Sequence, residues 1–238
     1  MSVAAFETAP APYPRGLALA TLVAAVAAIA GALLATGDAG HGWLWLHWCG
    51  KPLATALIFV LAWRARPAQS PRYRRWILAG IAGSLAGDVF LMLPGDLFVP
   101  GLLAFLLAHG CFIAAFLGDS RFAAPAWPLA ACIAYGVVNL ALLWTAIDAP
   151  LRVPVIVYVA VLAMMGGQAW ARAQHGDAAT RLAARGALVF MFSDSVLAWD
   201  RFRGPLPLAS LWVLAAYYLA LWWIARSVQG IAIEDEAS

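Results

Sequence analysis

The stretch "LALATLVAAVAAIAGALLA", from Leu17 to Ala35, runs for nineteen residues without a charge. An α-helix needs about 20 apolar residues to cross the hydrocarbon core of a bilayer. The rest of the chain has the same character: of its 238 residues, 64% are hydrophobic and 11% are charged, whereas about a quarter of the residues in a soluble domain are charged. The run is longer than the 7–15 apolar residues of a signal peptide, so we expect a retained membrane helix.

Seven further apolar runs follow, separated by short segments rich in Pro, Gly, Asp or Arg. Such residues interrupt helices, so each run predicts one membrane span. The connections are too short to hold a soluble domain. We therefore predict an all-α fold, a polytopic membrane bundle of eight transmembrane helices that forms one integral-membrane domain over residues 1–238, with spans at 17–36, 43–63, 74–93, 98–118, 124–146, 151–171, 181–200 and 206–228.

The basic residues predict the orientation of the bundle. An even number of spans places both termini on one side, and eleven of the fifteen Lys and Arg residues fall on that side. The other side receives only Lys51, Arg152, Arg201 and Arg203. Basic residues concentrate in cytoplasmic loops, so we expect both termini in the cytoplasm. The many Ala, Arg and Trp residues favour a bacterial source, so we expect a bacterial cytoplasmic membrane. The net charge of +3 then follows from topology. It favours contact with membrane lipids and requires no nucleic-acid partner.

Four ionisable residues lie deep within the predicted spans: Lys51, Asp88, His109 and Asp194. At a rise of roughly 1.5 Å per residue, all four fall at similar depths in the middle or outer part of the membrane. An unpaired charge at such a depth costs several kcal/mol, so polar residues there are usually functional. Four helices that carry rare polar groups to one level predict a shared cavity.

The third and seventh spans resemble each other around their aspartates. The segments "GIAGSLAGDVFLML" and "GALVFMFSDSVLAW" align Asp88 with Asp194, and a small residue, Gly87 or Ser193, precedes each. The two spans run in the same direction, so their carboxylates should reach the same height. Burial favours the uncharged form of a carboxyl group, and two carboxylates with unlike surroundings can divide the roles of acid and base.

Other interpretations remain open at this point. Lys51 and one aspartate can form a structural ion pair, or Lys51 can extend to the interface. His109 can be a packing residue. Buried Asp and Lys residues with a kinked helix and a partial repeat are also typical of a proton-coupled transporter. The scattered His and Cys residues have no zinc spacing, so we predict no metal and no cofactor.

Three segments of the chain resemble a known family. They are "KPLATALIF" from Lys51, "GDVFLMLPGDLFVPGLLAFLLAH" from Gly87 and "GALVFMFSDSVLAWDRF" from Gly186. In order, spacing and span count they are similar to the YhhN-type lysoplasmalogenases, which are eight-span membrane hydrolases. The chain departs from the family pattern at Phe112, where a tyrosine is expected, and at Leu221, where relatives often carry glutamine.

The resemblance implies an activity and a set of site residues. The family hydrolyses the vinyl ether of lysoplasmalogens to a fatty aldehyde and a glycerophospho-ethanolamine or -choline, so the expected substrate is a lysophospholipid. Carried over to this sequence, Asp88 and Asp194 do the acid–base work, and Lys51, His109 and Ser193 bind the substrate. Such a reaction requires protonation of the vinyl ether β-carbon and stabilisation of an oxocarbenium ion, a problem that glycosidases also solve with two carboxylates.

Overall fold

Eight long α-helices make up most of the structure, a computed structural model that describes residues 15–35 and 42–229. Each of the eight is long and apolar enough to cross a membrane, which confirms the predicted helical membrane bundle. Every helix end lies within three residues of its predicted position, although residue 36, the predicted end of the first span, is outside the described residues. The helices are α1 (Arg15–Leu34), α2 (Leu44–Arg64), α3 (Pro71–Met92), α4 (Phe98–Phe116), α5 (Trp127–Leu143), α6 (Ala149–Ala173), α7 (Ala178–Arg203) and α8 (Ala209–Arg226).

The two helices that carry the aspartates have defined beginnings. The Ser70 side chain accepts a hydrogen bond of 3.0 Å from the Tyr73 backbone N–H at the start of α3, and Pro71 occupies the first helical position. The Asp177 side chain accepts a bond of 2.9 Å from the Thr180 N–H at the start of α7. These caps satisfy backbone donors that a helix start leaves free, and proline suits the first turn. Both aspartates are therefore placed by well-anchored helices.

Neighbouring helices in the chain pack together as pairs: α1 with α2, α3 with α4, α5 with α6, and α7 with α8. Further contacts join α2 to α3, α6 to α7 and α4 to α6, and α8 returns to pack against α1, α2 and α3. This return brings α2, α3, α7 and α8 together around one region of the interior. Those four helices carry Lys51, both aspartates and Ser193.

One end of the bundle is held together by Arg172 on α6. Its Nε donates to Asp119 Oδ1 at 2.7 Å and its Nη2 to Asp119 Oδ2 at 2.6 Å, a bidentate arrangement. Nη2 also donates to Gln69 Oε1 at 3.1 Å. Asp119 follows α4 and Gln69 precedes α3, so the arginine joins three parts of the chain at the end that we predict to be cytoplasmic. The candidate site lies toward the other end.

Small residues allow two helix pairs to approach closely, as is common in membrane bundles. A Cβ added to Gly50 on α2 would lie 2.7 Å from the Ala28 backbone N and 2.9 Å from the Ala24 carbonyl O on α1. A Cβ on Gly186 of α7 would lie 2.7 Å from the Ala220 carbonyl O of α8. Both distances involve backbone atoms, which cannot rotate away as a side chain can.

We expect Gly50→Ala to lower the free energy of unfolding by about 1–3 kcal/mol, the usual cost of overpacking. Gly110→Ala is the matched control, because a Cβ at Gly110 on α4 meets no heavy atom within 4 Å. The control should unfold at or above the wild-type temperature, since alanine favours a helix over glycine. Thermal unfolding in detergent measures both variants. Unchanged unfolding of Gly50→Ala would contradict the close α1–α2 packing.

Candidate active site

Asp88 on α3 is surrounded by groups that donate hydrogen bonds to it. Its side chain is only 2% exposed. Its Oδ2 accepts a bond of 2.7 Å from Thr55 Oγ1 on α2 and one of 2.6 Å from the Tyr217 hydroxyl on α8. Short bonds of this kind to a carboxylate are stronger than those between neutral groups. Asp88 thus joins α2, α3 and α8 at one point.

Lys51 on α2 supplies the charge next to Asp88. Its Nζ lies 3.5 Å from Asp88 Oδ1, and its side chain is 9% exposed. The lysine is therefore paired inside the bundle and does not extend to the interface. Thr55 follows Lys51 by four residues, which places both side chains on the same face of α2. One face of a single helix thus provides two of the groups that contact Asp88.

Asp194 on α7 has different surroundings. The Tyr158 hydroxyl on α6 donates a bond of 2.6 Å to its Oδ2. His109 Nε2 lies 3.9 Å from the same oxygen, too far for a hydrogen bond. The side chain is 12% exposed, and no lysine or arginine among the described residues lies within ion-pair distance of it. Asp194 is therefore held by one donor, whereas three groups contact Asp88.

His109 lies behind Asp194. The ring is fully buried and packs edge-on against Tyr158 and Phe190, with centroid distances of 5.3 Å and 4.9 Å. Neither ring nitrogen has a hydrogen-bond partner among the described residues. The imidazole ring therefore packs beside the Tyr158–Asp194 pair without a hydrogen bond to either residue.

Ser193 is also held by the fold. Its hydroxyl donates a bond of 2.9 Å to the Val213 carbonyl, which joins α7 to α8. The residue borders the same interior region as the aspartates, but its only hydroxyl proton is directed at this backbone oxygen. The bond fixes the register of α7 against α8 beside Asp194.

Both aspartates line one cavity of about 240 Å³ between α2, α3, α7 and α8. Lys51, Ser193 and Tyr217 line it as well, and His109 does not. Toward the end of the bundle opposite Arg172, its walls include three further polar side chains: His47, Asp200 and Ser210. We call this space the polar cavity.

A second space, the apolar groove, lies between α4, α5, α6 and α7. Four residues line both the groove and the polar cavity: Leu91, Phe105, Asp194 and Leu197. Asp194 is the ionisable residue among them, so the two spaces meet at its carboxyl group. Apolar side chains form most of the groove wall, among them Phe98, Leu102, Leu143, Val155 and Phe202. Asp194 therefore stands between a polar and an apolar compartment.

Comparison with known proteins identifies the family of the chain. The model of the YhhN family matches residues 46–228, a range that includes both aspartates and the side chains that contact them. The chain belongs to the YhhN family.

Several relatives of this YhhN-family protein carry informative names. A protein named lysoplasmalogenase from Mycobacterium bovis is 35% identical over 227 residues, covering 84% of this chain and 83% of the relative. Lysoplasmalogenase TMEM86B from Homo sapiens is 33% identical over 176 residues, covering 74% and 72%. The uncharacterized membrane protein YhhN from Escherichia coli O6:H1 is 28% identical over 149 residues, covering 61% and 70%. No solved structure is significantly similar to the chain.

Three residues that contact the aspartates in this YhhN-family protein were not predicted: Thr55, Tyr158 and Tyr217. The place of Thr55 in the site could have been predicted, because it follows Lys51 by four residues and so lies on the same face of the helix. The tyrosines had none, since aromatic residues in membrane helices are most often packing or interfacial residues. Their hydroxyls nevertheless make the shortest hydrogen bonds to the two carboxylates, 2.6 Å each.

The side chains at this site are suited to acid–base chemistry. Two carboxylates, one ammonium group and three hydroxyls lie close together inside the bundle, an arrangement suited to proton transfer and stabilisation of a cation. Within residues 15–35 and 42–229, no three His, Cys, Asp or Glu side chains are grouped as metal ligands.

Proposed function

We propose that this YhhN-family protein hydrolyses the vinyl ether bond of lysoplasmalogens, releasing a fatty aldehyde and a glycerophospho-alcohol. The observation that carries the proposal is the pair of carboxylates, in unlike surroundings, on one cavity inside a membrane bundle. The relatives named lysoplasmalogenase support the same substrate class. A lysophospholipid resides in the bilayer, and the site lies inside a bundle of helices that are long and apolar enough to cross one.

The different surroundings of the two aspartates support different roles for them, one as proton donor and the other as anion. Asp88 faces the Lys51 ammonium and accepts two hydroxyl hydrogen bonds, a set of contacts that stabilises a carboxylate anion. Asp194 has one hydroxyl donor and borders the apolar groove. We assign the proton donor to Asp194 and the anion to Asp88.

The reaction then proceeds with atoms and charges in balance. Asp194 transfers its proton to the β-carbon of the vinyl ether, whose π electrons form the new C–H bond. The resulting oxocarbenium ion is stabilised by the Asp88 carboxylate. Water adds to the cationic carbon and gives one proton to Asp88. The hemiacetal collapses as its hydroxyl proton returns to Asp194 and the Asp88 proton passes to the glycerol oxygen, which leaves as an alcohol.

Lys51 also binds the substrate in this scheme. An ammonium group carries three N–H donors, and Asp88 takes up only part of this capacity. The lysine lines the polar cavity, so the remaining donors can meet the phosphate or the glycerol hydroxyl of the substrate. His109 and Ser193, in contrast, act in this scheme by positioning Asp194, the first by packing against Tyr158 and the second by fixing α7 against α8.

The test uses the purified protein in detergent with three lysophospholipids that differ only in the first bond of the chain: alkenyl ether, alkyl ether and ester. We expect aldehyde from the alkenyl ether and no product from the other two, because only the vinyl ether can be protonated to an oxocarbenium ion. In ¹⁸O-labelled water the glycerophospho product should stay unlabelled, since its oxygen comes from the substrate. Label in that product would overturn the mechanism.

The same assay separates the enzyme from a carrier. A proton-coupled transporter would move a solute across liposomes without consuming it and would release no aldehyde in detergent. Absence of aldehyde from folded protein with the alkenyl substrate would overturn the proposed function.

A further inference from the structure

We propose that the apolar groove binds the alkenyl chain of the substrate, with Asp194 at the point where chain and headgroup meet. The inference rests on the proposed function and adds to it the position of the chain. In a lysoplasmalogen, the vinyl ether joins a polar glycerophospho group to a long hydrocarbon. In the structure, Asp194 borders both a polar cavity and an apolar groove. The reacting bond and the carboxyl group therefore occupy corresponding positions.

The groove follows one side of α7 and encloses about 80 Å³, so a long chain would occupy part of it and widen it on binding. Its α7 wall extends from Met191 to Phe202. At 1.5 Å per residue this wall is about 16 Å long, and Asp194 lies near one end of it. A hydrocarbon chain bound along the wall would bury apolar surface, which favours binding.

The packing of the bundle explains why a space remains here. The buried apolar residues form one large cluster and a separate small cluster of Leu143, Ile147 and Val155. Residues of both clusters line the groove, Tyr158 and Leu162 from the large one and all three from the small one. The groove is thus the gap between two hydrophobic clusters. A linear apolar ligand in this gap would contact both.

Three hydrogen bonds between α5 and α7 form a side wall of the groove, two between side chains and one from a side chain to a backbone carbonyl. The Tyr135 hydroxyl on α5 donates to Ser195 Oγ on α7 at 2.9 Å. One turn further along, Trp199 Nε1 donates to Asn139 Oδ1 at 2.9 Å. At the next turn, Arg203 donates to the Leu142 carbonyl at 2.9 Å. We call these three contacts the α5–α7 ladder. They close the groove without the close backbone packing that joins the paired helices.

Another apolar groove, between α1 and α8, is a poorer candidate for the chain. Its lining residues, among them Leu22, Ala215 and Trp222, include no residue of the polar cavity. A chain bound there would not connect with a headgroup beside Asp194. This groove supplies the comparison site for the test.

The first experiment is photocrosslinking with an alkyl ether lysophospholipid that carries a diazirine near the end of its chain. This probe lacks the vinyl ether, so labelling does not depend on hydrolysis. We expect labelled peptides from α5, α6 and the second half of α7, and we expect unlabelled alkenyl lysophospholipid to compete. Preferential labelling of α1 and α8, or labelling that does not respond to competition, would overturn the groove assignment while leaving aldehyde release intact.

The second experiment narrows the groove. Ala198 on α7 lines it, and Ala198→Phe places a ring in the path of the chain. We expect kcat/KM for a long-chain alkenyl substrate to fall at least about tenfold relative to a short-chain one, the size of effect that a blocked hydrophobic subsite produces. Ala215→Phe, in the α1–α8 groove, makes the same substitution at an exposed position and should leave the ratio unchanged. An unchanged ratio in folded Ala198→Phe would overturn the proposal.

Discussion

Replacing Asp194 by asparagine is expected to lower aldehyde release by about 10²–10⁴-fold, the range that general acid catalysis contributes. Asparagine has the same shape, and its carbonyl oxygen can still accept the hydrogen bond from Tyr158. It cannot transfer a proton to carbon. The rate of aldehyde formation from the alkenyl lysophospholipid, measured beside thermal unfolding, gives both the chemical and the structural effect.

Asp148→Asn is the matched control for this variant. Asp148 precedes α6 at the same end of the bundle, is exposed, and makes no side-chain cap bond. It should retain wild-type activity. Wild-type aldehyde release by folded Asp194→Asn would remove Asp194 from the mechanism.

Replacing Asp88 by asparagine is expected to affect stability and activity together, and a double variant separates the two effects. The single change leaves Lys51 buried without its partner carboxylate, and breaking a buried pair costs about 3–5 kcal/mol. Replacing both members, as Lys51→Met with Asp88→Asn, removes the uncompensated charge, so the unfolding temperature should return toward wild type. Aldehyde release should stay at least about 10²-fold below wild type, since the anion that stabilises the cation is absent.

The double variant decides between a catalytic and a purely structural ion pair. If the Lys51–Asp88 contact served only to hold helices in register, the stable double variant would release aldehyde at close to the wild-type rate. That outcome would contradict a catalytic role for Asp88. Thermal unfolding and aldehyde release on the same preparations provide the comparison.

The fold was largely predictable because membrane spans are long and their ends are marked. The break "LPGDLFVPG" separates α3 from α4, and the helices end and begin within one residue of the prediction there. The start of α8 differs by three residues because the chain after Gly204, where φ is +111°, turns before the helix begins at Ala209. The orientation of the bundle in the membrane stays a prediction.

The similar depths of the polar residues predicted a common cavity, and in the structure Asp88 and Asp194 line the same cavity. Depth along a helix follows from residue number, whereas the direction in which a side chain points depends on packing. This difference explains His109, which lies at the expected depth but behind Asp194. It also explains why Tyr158 and Tyr217 were missed, since no spacing rule relates them to the aspartates. The roles of Asp88, Asp194, Lys51, His109 and Ser193, whether in catalysis, substrate binding or positioning, stay predictions until the variants are measured.

The apolar groove could not have been predicted from the sequence. Apolar runs specify that helices form and pack, but they do not specify where two packed clusters fail to meet. Leu143, Ile147 and Val155 have the same character as any other residues of α5 and α6, and only their three-dimensional arrangement separates them from the main cluster.

The α5–α7 ladder has a consequence for how such an enzyme would be supplied. Each contact is donated by a side chain, and a side chain can rotate without unfolding a helix. If these contacts open, a lipid would pass sideways from the bilayer between α5 and α7 without entering water. Substrate delivery then becomes a two-dimensional diffusion problem. The rate would follow the mole fraction of substrate among the surrounding lipids, and diluting the whole membrane suspension with buffer would leave turnover unchanged.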